Sequence, residues 1–280
     1  MIWMVITKDE MKDGVNHVFH FNKEALGKGK IRLAEVDEDD GLSFISHGDI
    51  IISRTMNKML LDTILTKGVI TTAENYDTYM MVKDKAMLSR FLQDKGVVVP
   101  RQYSIDELED KKTYFVKPRY GSDSFGITTH NICKTKAEVR LQVERLMNLG
   151  YESIVEDFID GKEFTAVCFN DKELSTYAIE VECFATNGIQ TRDCKVGFKE
   201  CCSAVYDSKL SDIVKKIFSL LELKHHARMD FRRGKDGEYY LIDVNLLPGL
   251  GPIDHYAKCL LLSENISYID AMKKVVESAN

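Results

Sequence analysis

The chain has no apolar run near the ~20 residues that a membrane-spanning helix needs, so a helical membrane protein is not expected. Its opening MIWMVIT is too short and wrongly flanked for a signal peptide, and reads better as a first buried strand. Basic residues are not in excess: 38 Lys and Arg stand against 44 Asp and Glu, a net charge of −6. That balance removes any general attraction to nucleic acid or to an anionic membrane surface. CxxC spacing is absent, and the seven cysteines are an odd, scattered set with only Cys201 and Cys202 adjacent. A disulfide framework or zinc knuckle is therefore not expected; reduced, mostly buried thiols in a cytoplasmic protein are. His225 and His226, as sequence neighbours, are poorly placed to face one ion. There are no internal repeats or low-complexity tracts. Prolines number four, and Pro118, Pro248 and Pro252 all fall in the segments discussed below.

What is present is an ordinary globular mixture of strand and helix signals. MIWMVIT, IRLAEV and DIIISR read as strands joined by polar connections, followed by a helix at 57–66 and the short strand VITT. VKDKAMLSRFLQDKG has apolar residues at helical spacing with Gly96 as its stop. YFVKP, GITTHNI and YESIVEDFI read as strands. TKAEVRLQVERLMNLG reads as a helix capped by Thr and ended by Gly, and SDIVKKIFSLLEL as a helix capped by its Ser. Two hairpins follow from the turn signals Asn170-Asp171 and Asp236-Gly237. The fold class is α+β, with several small subdomains.

The second hairpin raises a chemical question. In LIDVNLLPG, Asp243 and Asn245 are two apart and share one face of an apolar strand, which then breaks at Pro248-Gly249. If Asp236-Gly237 is a two-residue type I′ loop, Lys235 faces Glu238. Asp230 then lies opposite Asp243, and Arg228 opposite Asn245. Opposed carboxylates destabilise a ladder unless a cation lies between them. Two Asp and one Asn form an oxygen set suited to Mg²⁺. The competing reading is a solvated hairpin face with a charged edge.

VKPRYGSDSFG carries a lysine at a strand end and then Gly121, Ser122, Ser124 and Gly126. Glycine N–H groups and hydroxyls suit an anion, and Lys117 adds a compact positive charge. No GKS or GKT follows, so this is not a Walker loop, and no helix follows as a dinucleotide fingerprint requires. Taken alone, a small polar loop is more often just a hairpin turn.

The order VKDK, FVKPRYGSDSFG, VEDFIDGKEFT, ARMDF and IDVNLLPG resembles the ATP-grasp superfamily over about residues 75–252. The second half is most similar to D-alanine–D-alanine ligases. The N-terminal part, with DIIISR and VITTAENY, looks more like glutamate-adding and other amino-acid ligases of that superfamily. The resemblance implies an ATP-grasp fold with three parts: a small α/β N-terminal domain (1–76), a central lid (77–156) and a C-terminal catalytic α+β domain (157–280). It implies that Lys85 and Lys117 hold the ATP phosphates, under a mobile loop of Ser122, Ser124 and Gly126. Glu156 accepts from the adenine amino group, main chain at Asp157 and Ile159 reads the adenine edge, and Phe158 lies beside the ring. Glu163 binds the ribose. Asp230, Asp243 and Asn245 ligate one or two Mg²⁺ ions, with Mn²⁺ as a substitute, and Arg228 is the cation beside the transferred phosphate. Lys195 matches a lysine of the loop that covers the site, with Lys199 close enough to replace it.

Family members usually carry Glu where Asp243 stands. Where the ligases place a Ser for the acceptor carboxylate, this chain has Asp254, near Gly249 at the substrate end. An acid there suits an amine or hydroxyl. The expected activity is an ATP-dependent carboxylate–amine ligase acting through an acyl phosphate on small-molecule acids and amines. The alternatives are D-alanine–D-alanine ligase itself, an ATP-grasp phosphotransferase, and a nucleotide-binding protein without turnover. A homodimer is compatible with the resemblance.

Overall fold

Three runs rich in isoleucine and valine form the parallel core of the N-terminal sheet: β1 (Ile2–Thr7), β2 (Ile31–Val36) and β3 (Ile50–Ser53). The computed structural model describes residues 1–11, 13–27, 29–121, 124–183, 191 and 200–279, and for 13–18 and 21 the backbone alone. The first connection, expected to be merely polar, is the helix α1 (Asp13–Leu26). α2 (Lys58–Thr66), capped by Asn57, leads to β4 (Ile70–Thr71). The strand order is β2-β1-β3-β4, all parallel. The chain therefore reverses direction of growth between β1 and β3, the kind of switch point beside which open α/β sheets place their ligands.

The expected single helix after VITT is two helices, α3 (Tyr76–Lys83) and α4 (Lys85–Asp94). Asp84 separates them: its backbone is extended, and its carboxylate accepts from the amides of Ala86 and Met87 while pairing with Arg119 at 2.6 Å. An aspartate that caps the following helix satisfies orphan amides which a continuous helix would not expose.

The central sheet, in the segment expected to form the lid, has the order β5-β8-β6-β7, from β5 (Gln102–Tyr103), β6 (Tyr114–Pro118), β7 (Ile132–Cys133) and β8 (Ser153–Asp157), with α5 (Lys136–Asn148) against it. Thr135 caps α5 as expected. GITTHNI is not a full strand. Residues Thr129–Asn131 form a 3₁₀ turn, because the fully buried Asn131 donates to the carbonyls of Val116 and Gly126 and accepts from the Thr128 amide. Such side-chain bonds replace a ladder locally.

The C-terminal sheet is antiparallel: β9 (Lys162–Asn170), β10 (Leu174–Cys183), β11 (Glu200–Val205), β12 (His226–Arg233) and β13 (Tyr239–Asn245), in the order β11-β10-β9-β12-β13. The first hairpin turns through three residues, since Asn170 pairs with Leu174. α6 (Ser208–Leu220) is capped by Asp207 rather than by Ser211, and buries Leu210, Val214, Ile217 and Phe218 on one face. α7 (His255–Glu264) and α8 (Tyr268–Glu277) close the fold. The two ends of the chain share their cores. Val5 and Ile51 pack in one cluster with Phe218 and Met229, while Met4 and Ile52 pack in a second with Phe169 and Tyr256.

Cys183 is disulfide-bonded, contrary to the expectation of reduced thiols, whereas Cys133, Cys168, Cys201, Cys202 and Cys259 are free. Bridging depends on the approach of two Cβ atoms, which sequence spacing does not reveal.

Candidate functional site

The hairpin of β12 and β13 builds one wall of the site. Arg228 pairs with Asn245 and Asp230 with Asp243, the register expected from the sequence. The turn that sets it is different. Arg233 pairs with Tyr239, so the loop is Gly234–Glu238, closed by the Gly234 amide on the Glu238 carbonyl; Lys235 does not face Glu238. A bulge between Asp230 and Phe231 takes up the one-residue difference. Bulges of this kind sit beside functional groups because they re-aim side chains.

One cleft between the central and C-terminal sheets collects Lys85, Lys117, Gly121, Ser124, Glu156, Asp157, Phe158, Ile159, Glu163, Arg228, Asp230 and Asp243. Gly126, Asn245, Gly249 and Asp254 are not in its lining. Ser122, Lys195 and Lys199 lie outside the described residues. Gly126 has φ +74°, and a Cβ there would meet Pro118 and Leu146 at 3.1 Å, so its freedom serves the packing of the lid turn.

The charges in the cleft pair with one another. Lys85 Nζ is 3.3 Å from Asp243 and donates to the Gly121 carbonyl at 2.6 Å. Lys117, at the end of the buried β6, lies 2.7 Å from Glu156 of β8 and donates to the Ile242 carbonyl at 2.9 Å. Burial pushes the Glu156 carboxyl above its ordinary value, against the pull of Lys117. Arg228 donates to Asp230 at 2.9 Å, and Thr165 donates to the other oxygen of that carboxylate at 2.8 Å. Burial opposes the Arg228 charge, but Asp230 and Asp243 outweigh it and hold its guanidinium above the usual value. Its Nε is buried with no partner among the described residues, a donor that an anionic ligand could use. The donor set of two carboxylates facing each other across the hairpin and the Asn245 carboxamide two residues on, with an Arg donor left over, fits Mg²⁺ held beside phosphate oxygens.

The sequence reading missed Arg232. It donates to the carbonyls of Ile159 and Gly161 at 2.8 and 2.5 Å, lies 3.3 Å from Glu163, and stacks 5.3 Å from the centre of the Phe158 ring. The signal was available, since 228, 230 and 232 alternate onto one face of β12. Phe115 supports the same ring from β6, 6.3 Å away.

Near the start of α7, Asp254 turns back on its own loop. Its carboxylate accepts from the Gly251 amide at 2.7 Å and abuts Gly249, where a Cβ would come within 2.6 Å of it. The next residue, His255, lies 2.7 Å from Glu200, which also takes Lys258 at 2.8 Å. Cys202 completes a group of metal-type ligands with Glu200 and His255, but the Lys258 ammonium already neutralises that carboxylate. Burial raises the Glu200 carboxyl, yet His255 and then Lys258 outweigh it and bring it down to about 2. A carboxylate lowered from its ordinary 4.5 contributes stability that is whole above pH ~4.5 and lost as pH falls through about 2. Glu200→Gln is therefore expected to melt below the wild type at pH 7, the gap closing on acidification between those values. A gap independent of pH would contradict it.

The model of the family described as "D-ala D-ala ligase C-terminus" matches residues 90–277. The D-alanine–D-alanine ligase of Saccharophagus degradans is 24% identical over 195 residues, covering 64% of this chain and 60% of that protein. An uncharacterised protein of Sinorhizobium fredii is 24% identical over 230 residues, 76% of this chain and 67% of the other. The chain thus aligns with about two thirds or less of the length of these curated relatives. Among solved structures, the D-alanine–D-alanine ligase of Bacillus anthracis complexed with ATP superposes with a TM-score of 0.74 at 18% identity, covering 99% of this chain and 96% of that one. The VanG D-Ala:D-Ser ligase of Enterococcus faecalis gives 0.74 at 14% identity, covering 100% and 99%. With its three sheets, its cleft and this family match over most of its length, the chain belongs to the D-ala D-ala ligase C-terminus family and has the ATP-grasp fold.

Proposed function

We propose that the protein is an ATP- and Mg²⁺-dependent carboxylate–amine ligase that makes an amide bond through an acyl phosphate. The observation that carries this is the gathering of the cations Lys85, Lys117, Arg228 and Arg232 with the carboxylates Asp230 and Asp243 in one cleft that also offers Glu156, Phe158 and Glu163 to a nucleoside. Residues 1–76 supply the substrate side, 77–156 the lid and 157–280 the catalytic face. Asp230, Asp243 and Asn245 would hold Mg²⁺, which neutralises phosphate charge when bound.

A carboxylate is a poor electrophile. Its oxygen attacks the γ-phosphorus of ATP, the bond to the β-phosphate oxygen breaks, and ADP leaves. Lys85, Lys117 and Arg228 offset the charge that spreads over the phosphoryl oxygens. An amine then attacks the acyl carbon, phosphate departs with the bonding pair, and the amine loses its proton. Ser124 and Phe125, at the mouth of the cleft, belong to the turn that excludes water from the acyl phosphate. Asp254 is held by its own loop and lies outside the cleft lining, so it does not choose the acceptor, and D-alanine–D-alanine ligation stands as the second reading. No helix among the described residues is long and apolar enough to cross a membrane. We assign the activity to the cytoplasm, where ATP is supplied.

The test is incubation with ATP, Mg²⁺, hydroxylamine and a panel of amino acids that includes D-isomers. A hydroxamate with stoichiometric ADP supports the ligase. ADP with a stable phosphorylated product would make it a phosphotransferase, and no ADP with any acid would overturn both.

A further inference from the structure

Asn245 is the last residue of β13, and the chain beyond it leaves the ladder. Its carboxamide oxygen accepts from the Leu247 amide at 2.9 Å, so the orientation of that side chain depends on where the Leu247 peptide stands. The sheet does not hold that peptide, and Pro248 has no N–H to contribute. The tie comes from the other end of the chain. Arg54, the residue after β3, donates to the Pro248 carbonyl at 2.8 Å through Nη1 and to the Leu247 carbonyl at 3.2 Å through Nη2. Its own backbone is fixed, since its amide donates to the Val5 carbonyl at 2.8 Å.

Arg54 also stands at the carboxyl end of β3, at the point where the N-terminal sheet reverses its direction of growth. Thr55 and Thr7 there both donate to the Glu10 carboxylate, which takes the Met56 amide at 2.8 Å as well. A guanidinium is suited to such a place, because its planar fork reaches two adjacent carbonyls at once and its charge survives burial. The two carbonyls lie more than 190 residues away in sequence, so this contact joins the substrate-side sheet directly to the turn after the last proposed metal ligand.

We propose that Arg54 is a positioning residue that fixes the 245–249 turn, and with it the Asn245 carboxamide, for the metal ion. The inference rests on the reading of Asn245 as a ligand and is tested by nucleotide binding rather than by amide formation, so a protein that binds Mg·ADP but makes no amide would sink the ligase reading alone. The experiment titrates ADP calorimetrically into the full chain at a series of Mg²⁺ concentrations, for the wild type, Arg54→Gln, Arg54→Lys, Asn245→Ala and the double variant R54Q/N245A. Loss of a group that orients a metal ligand typically costs roughly tenfold or more in metal affinity. Arg54→Gln is thus expected to raise the half-saturating Mg²⁺ concentration by about tenfold. Arg54→Lys, which reaches one carbonyl, should raise it less. The double variant should be no worse than Asn245→Ala, because Arg54 acts through that side chain.

Glu74→Ala serves as the comparison for simple loosening of the same two parts of the chain, since Glu74 accepts from the amides of Lys224 and His225 without touching the turn. It is expected to lower the melting temperature and leave the Mg²⁺ midpoint in place. An unchanged midpoint in Arg54→Gln, a shift in Glu74→Ala as large as that in Arg54→Gln, or additive shifts in the double variant would each overturn the proposal.

Discussion

Asp243→Asn is expected to lower Mg²⁺- and ATP-dependent turnover by about a thousandfold while the protein stays folded. The size follows from what the charge does. Metal-assisted charge stabilisation is worth several kcal/mol, and ~4 kcal/mol is three powers of ten in rate. The neutral carboxamide keeps the shape of the side chain and removes the charge that faces Asp230 across the ladder. Stability should barely move. The Lys85–Asp243 pair is partly exposed, at 15% and 24% for the two side chains, and Lys85 keeps its bond to the Gly121 carbonyl. An ion pair of that kind contributes about 1 kcal/mol or less, so the melting temperature should fall by no more than ~3 °C. Asp243→Glu keeps the charge one methylene further out and should retain metal-dependent turnover. The measurement is the ADP-release rate across a Mg²⁺ series, with thermal melts alongside. Near-normal turnover of the Asn variant would remove Asp243 from the ligand set.

How that pair came to face each other shows what the sequence could and could not reveal. The facing of Asp230 and Asp243 was legible because strand alternation and an Asp-Gly turn leave few registers. The loop itself was misjudged, being five residues and not two, and the bulge after Asp230 restores the same pairing. Arg232 was equally legible by alternation from Arg228 and Asp230, but its role depends on the turn at 159–161 crossing β12. That crossing is close: a Cβ on Gly161 would overlap the Arg233 carbonyl. Local signals gave the cap of Thr135, since a cap is a bond between near neighbours. They failed at Asp84, where the deciding partner, Arg119, is 35 residues away. Arg54 was beyond reach for the same reason. Nothing near DIIISR indicates that its arginine ends on the carbonyls of Leu247 and Pro248, because that contact exists only once two separate sheets have packed together.

Lys117→Met should be costly twice over, and the two costs separate. Lys117 and Glu156 are buried neighbours, with side chains 9% and 5% exposed. Removing one member of such a pair strands the other charge, at about 3–5 kcal/mol, or a melting temperature lower by roughly 10 °C. Glu156 would respond by holding its proton. Burial already raises its carboxyl, and without Lys117 the rise is larger. A carboxyl raised in the folded state makes the protein most stable below the unfolded value near 4.5, and that stability is lost as pH rises through the folded one. The gap between Lys117→Met and the wild type should therefore be widest at high pH and narrow towards pH ~4.5. In the double variant K117M/E156L no charge is stranded, and stability should return to within about 1 kcal/mol of the wild type, as apolar replacements of buried pairs commonly do. Turnover should not return, because the proposed cation for the phosphates and the proposed acceptor for the base are both gone. Melts of the wild type and the two variants between pH 5 and 9, with ATP turnover on the same samples, decide it. A double variant as unstable as Lys117→Met would mean that the pair holds the lid by packing rather than by charge.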